Sequence, residues 1–487
     1  MYMPGLFDAA TIERRCEMKR AKKLYILLGV LAVICVATFA LTQFEEDKEK
    51  IKATGEIIME VSSDDVQSLS WEYGETSLAF HKDEKWLYDE DEAFPVDEDQ
   101  IHDMLEQFEA FGVSFIIEEV TDYSMYGLDE PECTIKFATE DQSYTVEVGD
   151  FSNMDEERYV SIGDGNVYLV KVDPLEEFDV VLKDMIKHDE DLSYEQVTQI
   201  KFEGAENYTI FYEEDSTATY CAEDVYFTEK NGETLPLDTD RVGNWLESLT
   251  TLNPTDYVTY NVTDAELESY NLVEPELTVT VDYTTKEDGQ EISDTFVLSI
   301  SRNPEELAAA EEAEANDEDA EDVSAYVRIG ESQIVYKVSE YNSDRLRAVS
   351  YNELRHREVI PADFEDVYQV DVTLEGSDYT IAVDGEEDDE RIWKYQEEEV
   401  EISDLQDALE TLDAEYSSDF ITDQPSGKEE IRLTVHLDNE NHPKVEIELY
   451  RHDGEDCLAV VDGETFALVP RSDVVDLIEA VNGIVLN

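Results

Sequence analysis

Three times along this chain, apolar and polar positions alternate and then switch to a helical period. Val66–Trp71, Val197–Phe202 and Val367–Val372 alternate apolar and polar positions, the pattern of a half-buried strand. A second alternating stretch follows each, Ser77–His81, Tyr208–Tyr212 and Tyr379–Val383. A short aromatic-bearing one comes next, Lys85–Tyr88, Asp224–Phe227 and Arg391–Tyr395. The helical period sets Ile101, Met104, Leu105, Phe108 and Phe111 on one face of Asp97–Phe111. It sets Val242, Trp245, Leu246, Leu249 and Leu252 on one face of Asp238–Leu252, and Leu405, Ala408, Leu409 and Leu412 on one face of Ser403–Leu412. Such stripes predict amphipathic helices turned to a core. Asp97 with Gln100, and Ser403 with Gln406, have capping-box spacing.

After the first two helices the wording itself repeats. Tyr126–Thr134 and Tyr270–Thr278 share Y-x-L-x-E-P-E-x-T. Pro131 and Pro275 fix φ and favour an extended run into the next strand. The motif reads as a packed tyrosine and a turn; the functional alternative makes Glu130, Glu132, Glu274 and Glu276 ligands. The third copy lacks it, with Pro425 as a remnant. A β-meander closes each unit: Tyr144–Val148, Arg158–Ile162 and Val167–Val172; Thr295–Ile300, Ala325–Ile329 and Ile334–Val338; Val445–Leu449, Asp456–Val461 and Thr465–Val469. Asp462-Gly463 marks a tight hairpin. Terminal helical pieces follow at Pro174–Met185, Ser343–Leu354 and Asp473–Val481. The insertion 304–322, acidic and alanine-rich, reads as a solvated loop or a frayed helix.

One run escapes this pattern. Leu24–Thr42 is continuously apolar, and about 19 residues of helix span roughly 30 Å of hydrocarbon. Arg14, Arg15, Lys19, Arg20, Lys22 and Lys23 precede it, whereas Glu45, Glu46 and Asp47 follow. The positive-inside rule then predicts a single-pass cell-membrane protein with a cytoplasmic N-terminus and an extracellular bulk. A cleaved signal peptide is the rival reading, and Met18 is an alternative start.

The net charge is −89. It argues against nucleic acid as a partner and is compatible with divalent cations or basic ligands. Five cysteines, Cys16, Cys35, Cys133, Cys221 and Cys457, are irregularly spaced and suggest neither a disulfide framework nor a C-x-x-C zinc site; the last three read as small buried apolar residues. No D-x-[DN]-x-[DN]-G loop, H-E-x-x-H, G-x-S-x-G or phosphate-binding glycine loop occurs. His436, His442 and His452 cluster along the third copy without metal-ligand spacing. The expectation is therefore no catalytic, cofactor-binding or metal residue, and no cofactor.

The anchor, the Trp86-Leu-Tyr88 strand, the Pro95-Val-Asp97 helix start and the Tyr126-Gly-Leu-x-x-Pro131 turn resemble a bacterial membrane-anchored family, domain of unknown function 4340. The resemblance implies an extracytoplasmic protein encoded beside ABC transporters, hence an accessory role and transporter subunits as partners. It carries no site residues. The expected fold is α+β, a single transmembrane helix followed by three repeated units, each a β-meander with a crossing helix. The expected boundaries are a basic tail 1–23, anchor 24–42, acidic linker 43–64, and repeats 65–190, 196–356 and 365–487. The expected function is a non-enzymatic membrane-anchored scaffold. The alternatives are an extracytoplasmic cation- or basic-ligand-binding protein and, behind it, a carboxylate-dependent envelope hydrolase.

Overall fold

Alternating sequence becomes three antiparallel sheets in this computed structural model, which describes residues 56–486 apart from 119, 121, 154–155, 288, 385–390 and 415–424. The basic tail, the run Leu24–Thr42, residues 43–55, Cys16 and Cys35 lie outside the described residues. Among the described residues, no helix is long and apolar enough to cross a membrane.

Read from one edge, the first sheet runs Trp86–Tyr88, Thr76–Lys82, Val66–Tyr73, Cys133–Thr139, Ser143–Ser152, Glu157–Ser161, Val167–Val170, Phe111–Ile117 and Glu56–Met59. The second runs Glu233–Pro236, Tyr226–Lys230, Asn207–Tyr212, Gln196–Gly204, Leu277–Glu287, Gln290–Arg302, Ala325–Ile329, Val335–Val338 and Tyr257–Thr259. The third runs Glu398–Glu399, Ile392–Tyr395, Ser377–Asp384, Val367–Leu374, Glu429–Leu437, Lys444–Arg451, Asp456–Val461 and Glu464–Pro470. Seven central strands run in the same order in each, and the edges differ: among the described residues, Glu56–Met59 occurs only in the first sheet, the first has no counterpart of Glu233–Pro236, and the third has none of Phe111–Ile117. A hairpin's first strand sits mid-sheet beside the first strand of the later meander, and a helix lies between them in sequence. The chain divides into two compact units, one ending at Lys187 and one beginning at His188. The first holds the first sheet; the second holds the other two.

Burial follows the alternation. Val367–Leu374 buries Val367, Val370, Val372 and Leu374 and leaves the intervening side chains at least partly open. The helices cover the buried faces. Trp245 sits edge-on to Phe202 at 5.0 Å, and Leu405, Leu409, Leu477 and Val481 join the strands of the third sheet in one core. The other faces carry mostly Ser, Thr and acidic residues, except at meander strands such as Val167–Val170 and Asp456–Val461, where apolar side chains are buried on both faces.

The helices are shorter than their stripes. The first covers Glu98–Glu106 (α1), with Asp97 accepting a hydrogen bond from Asp99 N at 3.2 Å. Phe108 then turns, and Phe111 opens a strand. Both are buried, so the apolar stripe continues into the core after the helix has stopped. The second helix spans Thr239–Thr250 (α2), capped by Asp238. The third spans Ser403–Glu410 (α3), and its cap differs from expectation. Ile402 is the N-cap with no side-chain bond, Ser403 already lies inside the helix, and Gln406 donates to Glu410 instead, at 2.7 Å. A capping box does form elsewhere, between Thr263 and Glu266 at the start of Asp264–Ser269.

The insertion adopts its helical alternative over Pro304–Ala315. Asn303 caps it, Pro304 pre-sets φ at the first position, and alanine with glutamate propagates it. Asp462 (φ 50°) and Gly463 (φ 85°) make the expected two-residue hairpin, since a type I′ turn needs positive φ at both. The strand Glu56–Met59 falls within the stretch 43–64 and pairs with Phe111–Ile117 at the sheet edge.

Candidate functional site

The repeated motif folds as a clasp. Its second position needs a left-handed backbone, supplied by Gly127 (φ 67°) and by Asn271 (φ 58°). The tyrosine before it packs on another tyrosine, Tyr126 on Tyr159 at 5.0 Å and Tyr270 on Tyr326 at 4.5 Å. The leucine after it, Leu128 or Leu272, is buried. The second glutamate then holds an arginine. Arg158 donates to Glu132 (2.8 Å), Asp173 (2.7 Å) and Gly149 O (2.8 Å). Arg302 donates to both oxygens of Glu276 at 3.0 and 3.2 Å, and Arg347 lies 3.4 Å from it. In the third sheet, Glu430 pairs with Arg451 and Lys428 although the motif is gone. The packed-tyrosine reading therefore holds. Glu132 and Glu276 are engaged by their own arginines, while Glu130 and Glu274 point to solvent.

Arg158 is only 11% exposed. Arg158→Ala is expected to lower the stability of the first unit by about 2 kcal/mol, because Asp173 loses its charged partner. Glu132→Gln is expected to change it by under about 1 kcal/mol, since Glu132 is half exposed. Urea titration followed by circular dichroism checks both.

A more concentrated site lies within the second unit, between the second and third sheets. Its centre is the extended segment Arg355–Ile360 that links them. This segment is fixed on two sides. Asp238 N donates to Leu354 O at 3.0 Å, Val359 N to Leu412 O at 2.9 Å, and Ala414 N to Arg357 O at 2.8 Å. His356 consequently projects into the loop between Asn207–Tyr212 and Tyr226–Lys230. Its Nε2 donates to Asp224 Oδ1 at 2.8 Å, and its Nδ1 faces Glu358 Oε2 at 3.6 Å. Asp224 is 1% exposed. Its other oxygen accepts from Thr219 Oγ1 at 2.5 Å, and that same hydroxyl accepts from Cys221 N at 3.0 Å.

The flanking arginines are also occupied. Arg241 pairs with Asp238 at 3.0 Å, Arg357 lies 3.5 Å from Glu353, and Arg355 stacks on Phe466 at 4.6 Å. Tyr220 reaches from the loop onto the third sheet's core, and His442 Nε2 donates to Thr217 O at 3.0 Å.

Electrostatics follow from this enclosure. Burial works against a charged His356, but the bonds to Asp224 and Glu358 outweigh it and lift the imidazolium to about 9. His356 in turn holds Glu358 down to about 2. Burial, reinforced by Asp224, pushes the Cys221 thiol up to about 11. Burial, with Glu358 nearby, raises Asp413.

The histidines singled out in sequence take separate roles. His436 binds Asp371 at 2.8 Å on the third sheet, and the metal-compatible groupings among the described residues contain none of His436, His442 and His452. Cys133 and Cys457 are buried and unbridged, as expected. Cys221 departs from that expectation: it is only partly buried and lies beside Asp224 and His356. Two signals for this site were present in the sequence: Cys221-x-x-Asp224 in one turn, and the charged run Arg355-His-Arg-Glu358 between two strand-rich stretches.

A cleft in the first unit, open to solvent and about 660 Å³ in volume, is lined by Asp122, Asp129 and Glu147 with Ser124 and Ser161.

No curated protein and no solved structure matches this chain. A family model described as Domain of unknown function (DUF4340) matches residues 86–230 and 227–434. The first match starts at the strand Trp86–Tyr88 and the second within its counterpart in the second sheet, Tyr226–Lys230. Together they run from 86 to 434, well over half of the 487 residues, so the chain belongs to the DUF4340 family.

Proposed function

We propose that this chain is a non-enzymatic, membrane-anchored extracytoplasmic accessory protein, built of three copies of one α+β unit and serving a partner complex of the ABC-transporter type. The observation carrying this reading is the order of seven central strands common to the three sheets, each with a largely polar face opposite its helix-covered one. Repeated units of this kind present extended binding surface. The family matches, which start at corresponding strands, support the repetition. The clustered titratable groups are poor catalysts as they stand. His356 already carries a proton and the Cys221 thiol keeps its own at neutral pH, so neither is an activated base or nucleophile. The run Leu24–Thr42 supports the anchor.

Affinity capture of the full chain from solubilised membranes is expected to recover transporter permease and ATPase subunits. Recovery of neither in several detergents would overturn the partnership. Protease added to intact cells is expected to remove the bulk of the chain; protection until lysis would overturn the orientation.

The acidic cleft favours a second reading, binding of cations or basic ligands. It predicts that calcium raises the melting temperature more than sodium at matched ionic strength does. Equal shifts would reduce the effect to screening.

A further inference from the structure

We propose that Cys221, Asp224 and His356 form a zinc site that clamps the junction between the second and third sheets. This inference stands apart from the accessory role and does not depend on it. Sγ of Cys221, a carboxylate oxygen of Asp224 and a ring nitrogen of His356 all lie within 4.8 Å of one another. Ligands of a tetrahedral zinc sit about 3.5 Å apart, so adjustments of roughly 1 Å close the set. One thiolate, one imidazole and one carboxylate suit zinc and not the all-oxygen preference of calcium or magnesium. Three protein ligands leave a fourth position for water.

The local backbone is arranged for this task. Cys221 and Asp224 are three apart in a tight turn, with Asp224 N donating to Cys221 O at 3.3 Å. That is the spacing of a C-x-x-C zinc turn with a carboxylate in the second position. Thr219 Oγ1 orients both residues, accepting from Cys221 N and donating to Asp224. The third ligand arrives 132 residues later in sequence. The arrangement beyond the ligands points the same way. A metal-bound histidine almost always gives its other ring N–H to a carboxylate or carbonyl, and Glu358 faces Nδ1 of His356 at 3.6 Å. The rival grouping of Asp238, His356 and Glu358 is weaker. It lacks the thiolate, and Asp238 is committed to the N-cap of α2 and to Arg241. Binding Zn²⁺ releases one proton from Cys221 Sγ and one from His356 Nε2, so the charge enclosed in the junction is unchanged.

Cobalt reports such a site directly. The full chain in detergent, stripped with chelator, is titrated with Co²⁺ and then with Zn²⁺. The expected result is one Co²⁺ per chain, with an intense tetrahedral visible spectrum and a thiolate-to-cobalt charge-transfer band, both abolished by Zn²⁺. Cys221→Ser, whose metal-free melting temperature should match the wild type's, is expected to lose the charge-transfer band. Zn²⁺ should raise the melting temperature of the wild type and not of Cys221→Ser. Glu358→Gln is expected to weaken Co²⁺ binding about 10- to 100-fold while keeping the band. A weak octahedral spectrum without the thiolate band, or a band that survives Cys221→Ser, overturns the proposal, because the carboxylate-rich surface or another cysteine would then be holding the metal.

Discussion

Replacing His356 with alanine is expected to destabilise the second unit by about 3–5 kcal/mol, as breaking a buried ion pair does when one charge is left behind. The orphan is Asp224. Its side chain is 1% exposed and, among the described residues, it would keep only the Thr219 hydroxyl. A neutral carboxyl is easier to bury than a charged one, so removing both partners should be far milder. Asp224→Ala combined with His356→Ala is expected to recover at least half of the single-variant loss, a strongly non-additive pair. Urea unfolding with chelator present measures both. A loss below about 1 kcal/mol for His356→Ala would show that the pair does not hold the junction.

The same pair makes stability depend on pH in a defined window. With chelator present, only protons compete for the imidazole. The folded value of about 9 lies above the ordinary 6.5. The contribution is therefore fully present below pH 6.5 and is lost as pH rises towards 9. A shift of this size corresponds to about 3 kcal/mol. Glu358 acts at the other end. Its folded value of about 2 lies below the ordinary 4.5, so its contribution holds above pH 4.5 and fades as pH falls towards 2. The plateau should lie between the two ordinary values, and His356→Ala should flatten its alkaline side.

How much of this was readable in the sequence depended on the range of each interaction. Strands such as Asp456–Val461 and Ala325–Ile329 are found at their expected residues, because a period of two records one face meeting a core. Phe111–Ile117 was missed as a strand. Phe108 and Phe111 lie at helical spacing after Leu105, so the stripe ran on through a turn that burial alone does not mark. Ser403 failed as a cap for a different reason: Ser-x-x-Gln fits the pattern one residue into a helix as well as at its start. The glutamates of the repeated motif were readable as a turn, but their arginines, 26 residues further on in both copies, were not. The His356 site was the least legible. Its halves are 132 residues apart, and neither Cys-x-x-Asp nor Arg-His-Arg-Glu has meaning until the sheets bring the two together.

Trp71→Ala should be the most damaging single change in the first unit, at about 3–5 kcal/mol. Trp71 is 1% exposed and lies at the centre of an aromatic lattice. It stacks on Phe80 at 5.6 Å within the sheet and meets Phe178 edge-on at 5.4 Å. Phe178 continues to Phe108 at 6.2 Å, and Phe108 to Phe137 at 4.7 Å. Alanine would leave a cavity that rigid rings on both sides cannot collapse into. Phenylalanine makes a sharper test. The indole Nε1 is buried with no hydrogen-bond partner among the described residues, so Trp71 contributes by volume and ring contact while its N–H is a liability. Trp71→Phe removes that liability along with part of the volume and should lower stability by only about 1 kcal/mol. Thermal unfolding followed by far-ultraviolet circular dichroism, with the Phe and Ala variants compared in the first-unit transition, decides the matter. Equal losses for the two would mean that the N–H makes a bond the folded chain depends on.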